Sequence, residues 1–312
     1  MELAVIIFQQ LLILIGISFV GFVLVKRSIL SQQTISEINQ IIIKYLTPLL
    51  IVESFFQPFD RGRTQQMMIA MLVYGGVLLI RVLAGNFIYG RYEEGVSKFA
   101  TVFGNVGFIG IPLTRAVFGP SMVIITTGIL IINNFISWTI GLDMISVKET
   151  NRQPKFLQNS IIFSFVIGLF IRILNLSLPA IIIKGVAQLT SVYSPLAMIV
   201  LGSYFIELID WKEYRDRRLW LTVVLRLLIW PLITLGILIW VPHLSFETFY
   251  ILMMILSGPC AMMTSLLSQI VGGDYLYGAK LVLLTTVGST VTTPMMLYLS
   301  NWLYQSYYPY LN

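Results

Sequence analysis

Residues 103–119 read FGNVGFIGIPLTRAVFG, inside one of the most apolar parts of the chain. A continuous helix gains nothing from Gly104, Asn105, Gly107, Gly110 and Pro112 set so closely. A glycine in a helix interior costs about 1 kcal/mol relative to alanine, and a proline about 3 kcal/mol. An amide at the same point adds a polar group that apolar surroundings penalise. The stretch therefore specifies irregular backbone, and the rest of the sequence says where that backbone lies.

Of the 312 residues, 57% are apolar and 11% charged. Apolar runs of about 20 residues, the length that crosses a hydrocarbon core of about 30 Å, recur along the chain. Strict alternation in segments of about ten residues, the mark of a membrane β-barrel, is missing. The fold class is an all-α polytopic membrane protein. The spans read as residues 4–25, 36–58, 66–89, 97–119, 121–146, 159–178, 182–208, 218–241, 246–271 and 276–300. The first has no basic leader, and its apolar core is too long for a cleavable signal. The net charge of +6 is spread over short loops, so nucleic acid is not an expected partner; the lipid bilayer is. The single cysteine, Cys260, permits no internal disulfide.

The basic residues set an orientation. With the N-terminus outside, the inner loops hold Lys26, Arg27, Arg91, Lys98, Lys148, Arg152, Lys155, Lys212, Arg215, Arg217 and Arg218. The outer segments hold only Arg61, Arg63, Arg115, Arg172 and Lys184. Both termini are expected outside a cell (inner) membrane.

The chain also resembles itself. Residues 104–119 align without gaps on GPCAMMTSLLSQIVGG, residues 258–273, at an offset of 154. TPLL at 47–50 matches SPLA at 194–197, and Arg81 corresponds roughly to Arg226. Two five-span halves follow, residues 1–150 and 151–312. Because five is odd, the halves sit inverted in the bilayer, an arrangement found with interrupted helices in secondary transporters.

Non-helical backbone is tolerated inside a membrane only where it is buried in protein or lines a cavity. Gly104-Asn105 and Gly258-Pro259 fall near the middle of spans four and nine, so both helices are expected to break there and cross. The second halves, starting at Asn105 and Pro259, would present free N–H groups and half a positive charge each. Two such ends make an anion site. The alternative is close packing alone, because Gly104, Gly107 and Gly110 also form a stripe of small residues. Asn133 and Asn134 in span five, Thr286 and Ser289 in span ten, and Ser257 and Cys260 beside the second break are the further candidates for binding a substrate. Cys260 is expected to be reachable from an aqueous cavity at the break. Arg81, Arg115, Asp143 and Arg226 are candidates for ion coupling or charge pairing, as ionisable residues within spans are by default. Those near span ends, Glu53 among them, have snorkelling or loop pairing as the plainer role. No metal site or cofactor is expected. An enzyme is not expected either: there is one histidine, no DDxxD motif and no G-x-S-x-G elbow.

GNVGFIGIPLTRAVFG (104–119), INNFISWTIG (132–141), SPLAMIVLGSYF (194–205) and LTTVGSTVTTPMM (284–296) together resemble the auxin efflux carrier family, in particular its bacterial members. The resemblance covers essentially the whole chain. It implies ten helices in two inverted repeats, with a scaffold of spans one, two, six and seven. The remaining spans would form a mobile transport domain, working as an elevator in a homodimer. It places the substrate beside Gly104-Asn105 and Gly258-Pro259. The plant carriers have proline before the asparagine, where this chain has Gly104. They also have an acid and a lysine near the start of span three, where this chain reads Thr64-Gln65-Gln66-Met67. Bacterial relatives carry malate, malonate and similar small organic anions, so a small carboxylate is the expected substrate, with an auxin-like acid less favoured and a proton or sodium ion as coupling partner. The rivals are a sodium-coupled bile-acid-type carrier, a cation/proton antiporter, which would need paired acids at mid-span, and a membrane sensor.

Overall fold

The computed structural model describes residues 2–56, 61–90, 94–145, 160–174, 176, 178–208 and 215–307. Among these, the secondary structure is helical, with one isolated β-bridge. The basic loop residues Arg91, Lys148, Arg152, Lys155 and Lys212 lie outside the described residues.

Twelve helices follow in chain order. They are α1 (Glu2–Lys26), α2 (Gln32–Ser54), α3 (Arg61–Tyr89), α4 (Gly95–Val102), α5 (Val106–Phe118) and α6 (Pro120–Ile145). Then come α7 (Ser160–Ile173), α8 (Ala180–Ile206), α9 (Arg217–Ile239), α10 (Phe246–Ser257), α11 (Met263–Ile270) and α12 (Tyr275–Tyr307). Seven of them, α1, α2, α3, α6, α8, α9 and α12, are long and apolar enough to cross a membrane. The helices α4, α5, α10 and α11 are short because the chain breaks between α4 and α5 and between α10 and α11.

The packing gathers the helices into two groups, which meet where α1 lies against α12 and α5. In one, α1 lies along α8, and α2 packs on α7 and α8. In the other, α3 packs on α6 and α4, while α12 runs beside α9, α10 and α11. The α1–α8 contact is close because glycines face it from both sides. A Cβ on Gly21 would strike the Ile199 backbone, and one on Gly202 would strike the backbone of Ser18. Without a hydrophobic driving force between helices in lipid, such backbone approach supplies the dispersion contact that holds them. Apolar side chains left facing outward, such as Leu72, Leu83 and Phe87 on α3, suit a lipid surround.

Gly202→Val is expected to lower thermal stability in detergent, since overpacking costs about 1–3 kcal/mol. Gly185→Ala, whose Cβ would meet nothing within 4 Å, is the control and should unfold at the wild-type temperature.

Candidate functional site

The two breaks meet. Gly104 pairs with Cys260 in an antiparallel bridge. Asn105 N–H donates to the Pro259 carbonyl at 3.1 Å, and Ala261 N–H donates to the Phe103 carbonyl at 3.0 Å. The offset of 154 that aligns the two segments puts Asn105 on Pro259, and these are the residues that touch. Each break thereby satisfies backbone groups of the other, which a membrane interior requires.

These bonds change the expected chemistry of the breaks. The N–H groups of Asn105 and Ala261 are spent on the opposite strand rather than open to a ligand. Cys260 N–H donates to the Thr285 hydroxyl at 3.2 Å, and Phe108 N–H to the Asn105 side-chain oxygen at 3.2 Å. Asn105 is thus the cap of the second half-helix, as its residue type suits. Its amide nitrogen Nδ2 is buried with no partner.

The other ends of the broken helices carry the opposite charge. The last carbonyls of α4 and α10 have no partner within their own helix, and each end holds about half a negative charge. Arg226, fully buried on α9, answers both. Its Nη1 donates to the carbonyls of Thr101 and Val102 at 3.3 and 3.2 Å. Its Nε and Nη2 donate to the carbonyls of Gly258 and Pro259 at 3.0 and 3.2 Å. Gly104 is a glycine for this reason: a Cβ there would lie 2.5 Å from Arg226 Nη2.

Arg81, fully buried on α3, is placed in a related way. Its Nη2 donates to the Leu256 carbonyl at 3.1 Å and to the Thr234 hydroxyl at 2.9 Å, and it lies over the Trp230 ring. Leu256 and Val102 are themselves 154 residues apart. Unlike Arg226, Arg81 is underused: Nε and Nη1 are buried without a partner. Neither arginine pairs with an acid among the described residues. No Asp or Glu whose side chain is described is fully buried.

The remaining predicted residues divide. Asn133 accepts from the Tyr74 hydroxyl at 2.8 Å, and Tyr74 also lies against the Gly104 backbone and within electrostatic reach of both arginines. Ser257 ends α10 with a buried, unpartnered hydroxyl, and its carbonyl accepts from Thr293 at 3.0 Å. Asn134 donates back to its own turn at Leu130, and Thr286 and Ser289 do the same at Val282 and Thr286. Those three side chains satisfy their own helices. Asp143 is exposed near the end of α6. Arg115 pairs with Glu53 on α2 at 2.9 Å. Cys260 is completely buried, its sulfur 3.2 Å from the Thr285 hydroxyl, so the expected open cavity beside it is not found in this conformation. Near the start of α3, the Gln66 amide bonds the His243 carbonyl and the Ser245 N–H, tying α3 to the α9–α10 connection.

Sequence reasoning missed Tyr74. It stands seven residues before Arg81 on the same helix, and that two-turn spacing puts both on one face. Tyr193 was missed as well. It stacks on Phe108 with ring centres 6.1 Å apart, and its hydroxyl would be met by any Cβ on Gly107 at 3.1 Å. Gly107 is therefore a packing residue against α8.

The membrane transport protein family matches residues 6–297 of the chain. No curated protein matches it. The chain belongs to that family, as the resemblance to auxin efflux carriers implies.

Two outcomes follow from this geometry. Arg226→Gln leaves buried carbonyls without donors and should cost at least about 3 kcal/mol, read as a large fall in melting temperature or loss of folded protein. Cys260 should resist a small hydrophilic maleimide in the folded protein and react after denaturation.

Proposed function

We propose that this member of the membrane transport family is a secondary carrier for a small organic anion, of the malate or malonate kind. The observation that carries the reading is the charge balance where the breaks meet. Arg226 neutralises two half-charges at the ends of α4 and α10. Arg81 then adds a full charge with two nitrogens, Nε and Nη1, unused, and the starts of α5 and α11 add their own positive ends. No fully buried acid stands against them among the residues whose side chains are described. A cation antiporter needs buried carboxylates at this depth; this arrangement lacks an acceptor and has donors to spare. A carboxylate supplies what is missing.

In this reading the chain forms ten spans as two inverted repeats, 1–150 and 151–312. The breaks supply spans four and nine as α4–α5 and α10–α11. The recurrence of the offset at Asn105 with Pro259, and at Val102 with Leu256, supports the repeat. The group α1, α2, α7 and α8 acts as scaffold. The other group carries the substrate past it as an elevator. A homodimer through the scaffold, both termini outside the cell membrane, and coupling to a proton or sodium ion complete the proposal by analogy with the family.

The test is flux. Proteoliposomes holding the protein should exchange labelled malonate or malate, and Asn105→Ala should weaken that substrate about ten- to a hundredfold while leaving the protein folded. That is the effect of losing one hydrogen bond to a charged group. No flux of any small carboxylate under proton or sodium gradients of either sign would reject the reading. A reporter joined after Asn312 should report an external position.

A further inference from the structure

Arg115 and Glu53 join the two packing groups. Arg115 stands on α5, in the group that holds the breaks, and Glu53 on α2, in the other. The ion pair is made through one oxygen only: Arg115 Nη2 meets Glu53 Oε2 at 2.9 Å. The same oxygen lies 2.6 Å from the Thr190 hydroxyl on α8. Arg115 Nε is buried and has no partner.

This is an incomplete use of the side chain. A guanidinium binds a carboxylate best edge-on, with two parallel N–H bonds to its two oxygens. Nε and Nη2 form such an edge. Glu53 takes one half of it and leaves the other dry and unsatisfied, a costly state for a buried donor. A small free carboxylate has no backbone tether and can take both. Glu53 then keeps one hydrogen bond, from the Thr190 hydroxyl of its own packing group.

The position also fits. Phe108 and Arg115 are seven residues apart on α5 and so share a face. Both contacts of that face, Phe108 on Tyr193 and Arg115 on Glu53, reach the α2 and α8 group. The same helix begins at the Asn105 cap. One face of α5 thus leads from Arg115 to the break.

We propose that Arg115 is the residue on which the substrate carboxylate first docks, and that Glu53 is a resident stand-in which the substrate displaces, releasing one of the contacts between the two packing groups. This rests on the organic-anion reading above.

The experiment is calorimetric titration of the purified 312-residue chain with malonate. Arg115→Gln should weaken binding about tenfold or more. Glu53→Gln should strengthen it about two- to fivefold, because the competitor for Arg115 is gone. Combining Glu53→Gln with Arg115→Gln should return none of that gain. Arg115→Lys keeps the charge but not the edge, should fall between wild type and Arg115→Gln, and serves if Arg115→Gln does not fold. If Glu53→Gln weakens malonate as Arg115→Gln does, the pair is a structural brace and the proposal is overturned. If wild type binds malonate and the Arg115 variants bind it equally, the proposal falls while the carrier reading stands. If wild type binds none of malonate, succinate and malate, both fall together.

Discussion

One guanidinium holds together what the sequence breaks apart. Interrupting two helices inside a membrane exposes carbonyl groups that neither water nor lipid can satisfy. Arg226 donates to four of them, two from each interrupted helix. Lysine could not do this. It presents a point charge with three donors, whereas the guanidinium fork spans two chain ends at once. The burial cost of the charge is met by the two helix ends, whose partial negative charges together nearly balance it. The glycine at 104 follows from the same need, because the guanidinium fills the space a side chain would take.

The same constraint explains why Arg81 differs. The carbonyls at the break are already served by Arg226. Arg81 is left with one carbonyl, one hydroxyl and an aromatic face. Its charge is then the part of the balance that nothing in the described protein cancels. The two arginines thus do different work: Arg226 joins the two breaks, and Arg81 keeps donors without a partner.

The helix breaks were legible because glycine, asparagine and proline act locally, through propensity and capping. Asn105 as a cap and Gly258-Pro259 as a helix end are of that kind. The pairing of the breaks was foreshadowed by the offset of 154 but not their hydrogen bonds. Those depend on how two distant segments approach, and they took up N–H groups that local reasoning had left free. The partners of the arginines were hidden for a related reason. A search for acids finds charge pairs, whereas these arginines bind backbone carbonyls, which every residue has. Asn133 and Asn134 look alike in sequence. Only their places on α6 separate them, one turned to Tyr74 and the other bonded to its own turn. The hydroxyls of Thr286 and Ser289 satisfied their own helix, as short hydroxyl side chains often do.

The distribution of strong and weak contacts bears on motion. The ribbon between the breaks, both arginines, Tyr74, Asn133, Thr285 and Thr293 all belong to α3–α6 and α9–α12. Their bonds are many, buried and mutually dependent, so loosening one exposes another's unpaired group. That set is held together as one packed unit. Contacts from it to the other group are of another sort: apolar packing of α1 on α12 and α5, a stacked ring pair at Phe108 and Tyr193, and one half-used ion pair at Arg115 and Glu53. Stacked rings can slide at small cost, and a single charge-assisted bond can be exchanged for another. Under the elevator reading proposed above, displacement of the core as one body would exchange these boundary contacts and leave its buried bonds in place. The breaks would then stay paired throughout a transport cycle, and access to the site would change by what the boundary covers.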